Sequence, residues 1–216
     1  ATITFFLMNL VPGGPFLSEK AISPAATKAL EAKYGLDKPM AERYFTYISD
    51  AAHGDFGDSL KQRGRTVMDI IATKFPVSAR LGGMAVVLAL CVGVPLGVLA
   101  AYKRGTFIDS LFSVIATCGI AVPGFVICTL LLYVFGVKLQ WLPTLGLKSA
   151  QSYIMPVVAL AAYPTSYIMR LMRSSMLDVL GQDYMRTAKA KGLSQKVSLF
   201  KHALRNAILP VITYVG

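Results

Sequence analysis

The residues that could do acid–base, nucleophilic or metal chemistry are few and dispersed. There are two histidines, three cysteines and eleven acids in 216 residues. His53 and Asp55 lie two apart in His53-Gly54-Asp55-Phe56-Gly57, and a His/Asp pair can orient and polarise a nucleophile. No partnering nucleophile or oxyanion site is evident, so the stretch reads as a glycine-rich turn whose polar side chains bond the backbone. Cys91, Cys118 and Cys128 all fall in apolar runs, have no metal-ligand spacing and cannot all pair. They read as small membrane-buried residues, and metal binding by this chain is not expected. There is no Gly-x4-Gly-Lys-Ser/Thr phosphate loop, so the chain is not expected to hydrolyse ATP itself.

The other concentration of chemistry is electrostatic. Between Arg170 and Arg205 stand Arg170, Arg173, Arg186, Lys189, Lys191, Lys196, Lys201 and Arg205, against only Asp178 and Asp183. The net charge of +11 raises the possibility of a nucleic-acid partner. However, no aromatic residues alternate with these charges as a single-strand platform requires. A basic segment between two apolar ones is what positive-inside membrane topology produces, so lipid rather than nucleic acid is the expected surroundings.

Short helices must position these charges. Asp183 can cap a helix over Met185–Lys191, and Gly192 supplies the left-handed residue that ends it. Ser194 can cap a second helix, with Val197, Phe200, Ala203 and Leu204 on its apolar face.

The composition around this segment is that of a membrane protein. It is 55% hydrophobic with mean hydropathy +0.56 and 15% charged, against about 25% charged in soluble domains. A soluble helical bundle is the weaker alternative.

Residues 1–12 read as the end of a first spanning helix, stopped by Pro12-Gly13. Residues 13–75 read as a small helical extracytoplasmic insertion holding eight of the eleven acids (Glu19, Glu31, Asp37, Glu42, Asp50, Asp55, Asp58 and Asp69). Within it, helices are expected from Ser23-Pro24 to Gly35, from Lys38-Pro39 with Tyr44, Tyr47, Ile48 and Ala51 on one face, and over Arg65–Lys74. Residues 76–216 read as the membrane core. Spans are expected at about 77–102, 108–137, 154–172 and 207–216, and a cytoplasmic loop at 173–206. Arg170 and Arg173 are expected to extend toward the cytoplasmic interface.

Gly93, Pro95 and Gly97 in the second span, Pro123 and Gly124 in the third and Pro164 in the fourth are the candidate pathway or hinge residues. Small residues four apart let helices approach closely, and broken helices often line transport paths. For Gly93, Pro95 and Gly97, packing is the preferred reading.

Arg186-Thr187-Ala188-x-x-x-Gly192, followed by Ile208-Leu209-Pro210, resembles the cytoplasmic EAA loop of permease subunits of bacterial ABC importers. Arg186 stands where Glu is usual, and Thr187 where the first Ala is usual. Those departures, with His202-Ala203-Leu204-Arg205-Asn206-Ala207, point to the oligopeptide and dipeptide branch. Val11-Pro12-Gly13, Ala52–Gly57, Phe75–Ala79 and Trp141-Leu142-Pro143 extend the resemblance over the whole chain, most closely to the B-type subunits.

The resemblance implies an all-α polytopic membrane protein, a type I permease-like helical bundle in the bacterial inner membrane. The chain would form half of a translocation pathway beside a homologous second permease. It would couple through Arg186, Thr187, Ala188, Lys189, Lys191, Gly192, Leu193 and Ser194 to two ABC ATPases, which supply ATP and Mg, and receive peptide from an extracytoplasmic binding protein. Ala188 is expected to face the ATPase cleft. The chain is expected to be part of a six-helix subunit. Cargo could instead be nickel, glutathione or a sugar. A membrane-embedded enzyme is disfavoured, because the spans hold no acid or histidine except Asp109.

Overall fold

A computed structural model of the chain describes residues 2–10, 35, 37–59, 62, 64–194 and 197–216. The expected stop at Pro12-Gly13 and the expected helix from Ser23-Pro24 lie outside these residues. The chain divides into two compact units, Ala1–Val77 and Ser78–Gly216.

In the first unit, α1 (Thr2–Leu10) and α2 (Met40–Ala52) meet through aromatic rings. Phe5 lies 5.4 Å from Tyr44 and 5.8 Å from Tyr47, and Phe6 stacks on Tyr44 at 5.3 Å. Tyr44, Tyr47, Ile48 and Ala51 form the half-buried face of α2, as their three- and four-residue spacing requires. The His53–Gly57 stretch is a backbone-bonded turn. His53 Nδ1 lies 2.8 Å from the Ser49 carbonyl, and Asp55 Oδ1 accepts from the Gly57 N–H at 2.8 Å. Gly54 and Gly57 have φ of 85° and 73°, which glycine alone adopts without strain.

α3 (Val67–Tyr102) corrects the expected separation of an Arg65–Lys74 helix from a span beginning at 77. It is one helix of 36 residues, continuous through Phe75-Pro76. Its start is a reciprocal cap: the Asp69 N–H donates to Thr66 Oγ1 at 3.1 Å, and the Thr66 N–H to Asp69 Oδ2 at 3.3 Å.

The second unit is a helical bundle, and among the described residues the chain has no strand beyond an isolated bridge between Asp58 and Thr66. α4 (Phe107–Ala121) and α5 (Gly124–Leu131), the latter continuing as π-helix over Leu132–Lys138, form the helix expected at 108–137, divided at the Pro123-Gly124 break. They meet at 101°. The break falls at Val122-Pro123, because proline offers no N–H and forces the preceding residue out of helix; Val122 has ψ 122°. α6 (Ile154–Leu180) follows a 3-10 turn, Ala150–Tyr153, and runs past the expected end at Met172 to Leu180. Pro164 lies inside it.

Pairwise contacts set the helix directions. A Cβ at Gly93 would stand 2.8 Å from the Thr165 carbonyl oxygen, and one at Gly97 2.6 Å from that of Met169. Both positions advance together, so α3 and α6 are parallel. Asp109 meets Arg173, Gly119 meets Ser166, and Gly136 approaches Met155. That progression is antiparallel and runs along α6 from Met155 to Arg173. Despite its bend, the α4–α5 pair therefore follows α6 over most of its length as one broken span.

Candidate functional site

The basic segment begins where α6 ends. α7 (Asp183–Ala190) follows after Gly181-Gln182. Asp183 is the first residue of α7 rather than its cap. Its carboxylate lies 3.5 Å from Arg186 Nη1, one turn on, and its carbonyl accepts from Thr187 Oγ1 at 3.1 Å. At the other end Gly192 has φ 75°, and the Leu193 N–H donates to the Ala188 carbonyl at 3.3 Å. This is the bond that closes a helix through a left-handed glycine. Ser194 Oγ accepts from the Val197 N–H at 3.4 Å, and the Ser194 carbonyl from the Ser198 N–H at 3.0 Å; residues 195 and 196 lie outside the described residues.

The second helix departs from its expected face. Residues Ser198–Ala203 are π-helical and lead into α8 (Leu204–Ala207) and α9 (Leu209–Val215). Bonds from i to i+5 widen the turn, so the buried residues are Ser198, Ala203 and Ala207, at spacings of five and four. Val197 and Phe200, assigned to the apolar face with Ala203 and Leu204, are instead exposed, Phe200 by 61%.

Two contacts tie the segment to the bundle. Met185 is 1% exposed and belongs to one cluster with Met172 and Met176 of α6 and with Ala203, Ala207 and Val211. The Asn206 side-chain amide donates to the Tyr184 hydroxyl at 2.9 Å. Among the expected coupling residues, Arg186, Thr187, Lys191, Gly192, Leu193 and Ser194 are exposed. The side chain of Lys189 lies outside the described residues. Ala188 is 7% exposed, which corrects its expected outward orientation: it sits on the inner side of α7 with Met185, three residues earlier.

The other candidates separate. Gly93 and Gly97 form the seam on α6. A side chain there would strike backbone carbonyls, so they serve close packing. Pro95 lines an apolar groove with Val98, Leu199, Phe200 and Leu204. Pro123 and Gly124 make the α4–α5 break, and nothing lies within 4 Å of a Cβ at Gly124. The three cysteines are unpaired and exposed on apolar helices. Among the described residues, no three His, Cys, Asp or Glu cluster as a metal site would require.

One pair escaped sequence reasoning. Arg173 binds Asp109 through Nε–Oδ1 at 2.5 Å and Nη2–Oδ2 at 2.8 Å, and the Gly105 N–H donates to Asp109 Oδ2 at 3.0 Å. Arg173, expected to extend toward the cytoplasmic interface, is held by Asp109 in the first turn of α4. The available signal was Asp109 itself, one of two acids, with Asp178, in the long helices of this unit ahead of α7. An intramembrane acid is retained only with a partner.

The comparisons agree with this architecture. The profile of the family described as "Binding-protein-dependent transport system inner membrane component" matches residues 93–216. The whole chain aligns at 45% identity with 71% of the oligopeptide transport system permease protein OppB of Salmonella typhimurium, and at 42% with the same share of OppB from Escherichia coli K12. It aligns at 45% with 70% of the dipeptide transport system permease protein DppB of Bacillus subtilis. A profile over more than half the chain, end-to-end relatives and a bundle of broken and continuous apolar helices lead to one conclusion: this chain belongs to the family of binding-protein-dependent transport system inner membrane components.

Proposed function

We propose that the chain is the membrane-spanning permease subunit of an ATP-driven peptide importer of a bacterial inner membrane. Residues 13–75 would lie outside the cell and 173–206 inside. The observation that carries the mechanism is the shared core of Met172, Met176, Met185, Ala203 and Ala207. Because α7 packs into the same core as the end of α6, a displacement of α7 would be passed to α6, a spanning helix. The exposed side of the segment, with Arg186, Thr187, Lys191 and Leu193, would dock on an ATPase subunit. Closure of two ATPases around ATP and Mg would then drive α6 of this subunit and of a homologous sister permease. A pathway formed between the two would open outward to accept peptide from an extracytoplasmic binding protein. Peptide is preferred over nickel, glutathione or sugar because the relatives at 42–45% identity are oligopeptide and dipeptide permeases.

Mild detergent extraction of the tagged subunit from its native membrane tests this reading. Two ATPases and a second permease should co-purify, and uptake of radiolabelled trialanine should depend on the subunit. Recovery of the subunit without any ATPase, alongside unchanged uptake in its deletion strain, would reject it.

A further inference from the structure

α4 has two accessible faces of opposite character. Leu111, Ile115 and Cys118 form an exposed apolar face, as lipid contact demands. Ser113 and Thr117, on the other side, line a cavity of about 590 Å3 whose far wall is Tyr163, Tyr167, Arg170 and Ser174 of α6. These four recur at spacings of four, three and four, so they are one continuous stripe along α6. Tyr167 also stacks on Tyr214 of α9, with ring centroids 4.5 Å apart. The two arginines at the cavity differ. Arg173 is held bidentate by Asp109 and is electrically satisfied. Arg170 is exposed and has no acidic partner among the described residues. An unpaired arginine within a spanning helix is costly against hydrocarbon. It persists where water or an anion meets it.

We propose that this tyrosine–arginine groove is a water-filled wall of the translocation pathway and that Arg170 is its contact for a carboxylate of the passing solute. The planar guanidinium binds a carboxylate through paired hydrogen bonds, and the tyrosine hydroxyls and the Ser113 and Thr117 hydroxyls can exchange hydrogen bonds with peptide groups without selecting side chains. The cavity lies within the range of about 300–1,000 Å3 common for ligand sites. The proposal rests on the transport reading above.

The test uses the assembled transporter with Cys91, Cys118 and Cys128 changed to alanine. Loss of a charge-assisted hydrogen bond predicts that Arg170→Cys lowers radiolabelled trialanine uptake about tenfold or more while the ATPases still co-purify. Treatment with 2-aminoethyl methanethiosulfonate, which attaches a positive charge, should restore uptake; 2-sulfonatoethyl methanethiosulfonate, which attaches a negative one, should not. Thr117→Cys and Tyr167→Cys should react with these water-soluble reagents much faster than Ile115→Cys. Unchanged uptake in Arg170→Cys, equal rescue by both reagents, loss of the ATPases, or thiols at 117 and 167 as inert as at 115 would each overturn the proposal. If the unsubstituted transporter takes up no trialanine, the peptide reading fails by itself. The contrast in reactivity between 117 or 167 and 115 then still decides whether the groove holds water.

Discussion

Single residues carry two separable effects here. Asp109 is 5% exposed and accepts two bonds from Arg173 and one from Gly105. Removing Arg173 strands that carboxylate. The loss should fall somewhat below the roughly 3–5 kcal/mol of a fully buried pair, because Arg173 keeps partial solvent access. Arg173→Gln and Asp109→Asn should each lower the thermal midpoint of the detergent-solubilised transporter. The double variant should lose less than the sum, with a coupling of about 1–3 kcal/mol; additive losses would show the pair to be energetically idle. Gly192 acts through backbone alone. Nothing lies within 4 Å of a Cβ there, so the cost of a side chain comes only from its φ of 75°. Gly192→Val should cost roughly 1–2 kcal/mol and reduce both ATPase recovery and peptide uptake, whereas Gly192→Asn should keep both near normal. Equal behaviour of the two variants would show that the left-handed conformation is unimportant to coupling.

At the scale of elements, contact between helices decides what a residue does. Gly83 and Gly97 are both inside α3. A Cβ at Gly83 meets nothing within 4 Å, while one at Gly97 would stand 2.6 Å from the Met169 carbonyl oxygen and 2.7 Å from Met172 Cβ. Gly83→Ala should therefore be neutral or stabilising by up to about 1 kcal/mol, through the higher helix propensity of alanine. Gly97→Leu should force α3 away from α6, at a cost of about 1–3 kcal/mol or more. Thermal midpoints of the two purified assemblies check the contrast, and similar midpoints would refute the packing role of Gly97. The sequence signal, small residues four apart, was legible. Which helix they approach was not, because sequence spacing describes one face and says nothing of what covers it.

For the molecule as a whole, charge and helix direction converge on one topology. The antiparallel run of α4–α5 along α6 brings Asp109 and Arg173 to the same end of the bundle. The Lys103-Arg104 turn and the basic segment should therefore share a side of the membrane, which positive-inside bias predicts to be the cytoplasmic one. Impermeant thiol labelling of intact cells, in the background lacking native cysteines, should modify His53→Cys from outside and spare Lys189→Cys until the membrane is opened. Labelling of Lys189→Cys in sealed cells would invert the topology and remove the coupling role of the segment with it.

The sequence by itself determined what local chemistry controls. Apolar runs long enough to span, basic segments between them, the Gly192 turn, the Ser194 cap and the aromatic face of α2 all follow from residues near one another in the chain, whose preferences need no distant partner. Only the tertiary structure decided the rest. The 101° break between α4 and α5 left open whether they cross or turn back, until Asp109, Gly119 and Gly136 were seen to meet Arg173, Ser166 and Met155 in succession. The widened turn at Ser198–Ala203 moved Phe200 outward, and Met185 drew Ala188 inward with it. The groove joining Thr117 to Arg170 sets side by side residues more than fifty positions apart. Local propensity cannot encode such neighbours, because a helix face acquires its role from the surface packed against it.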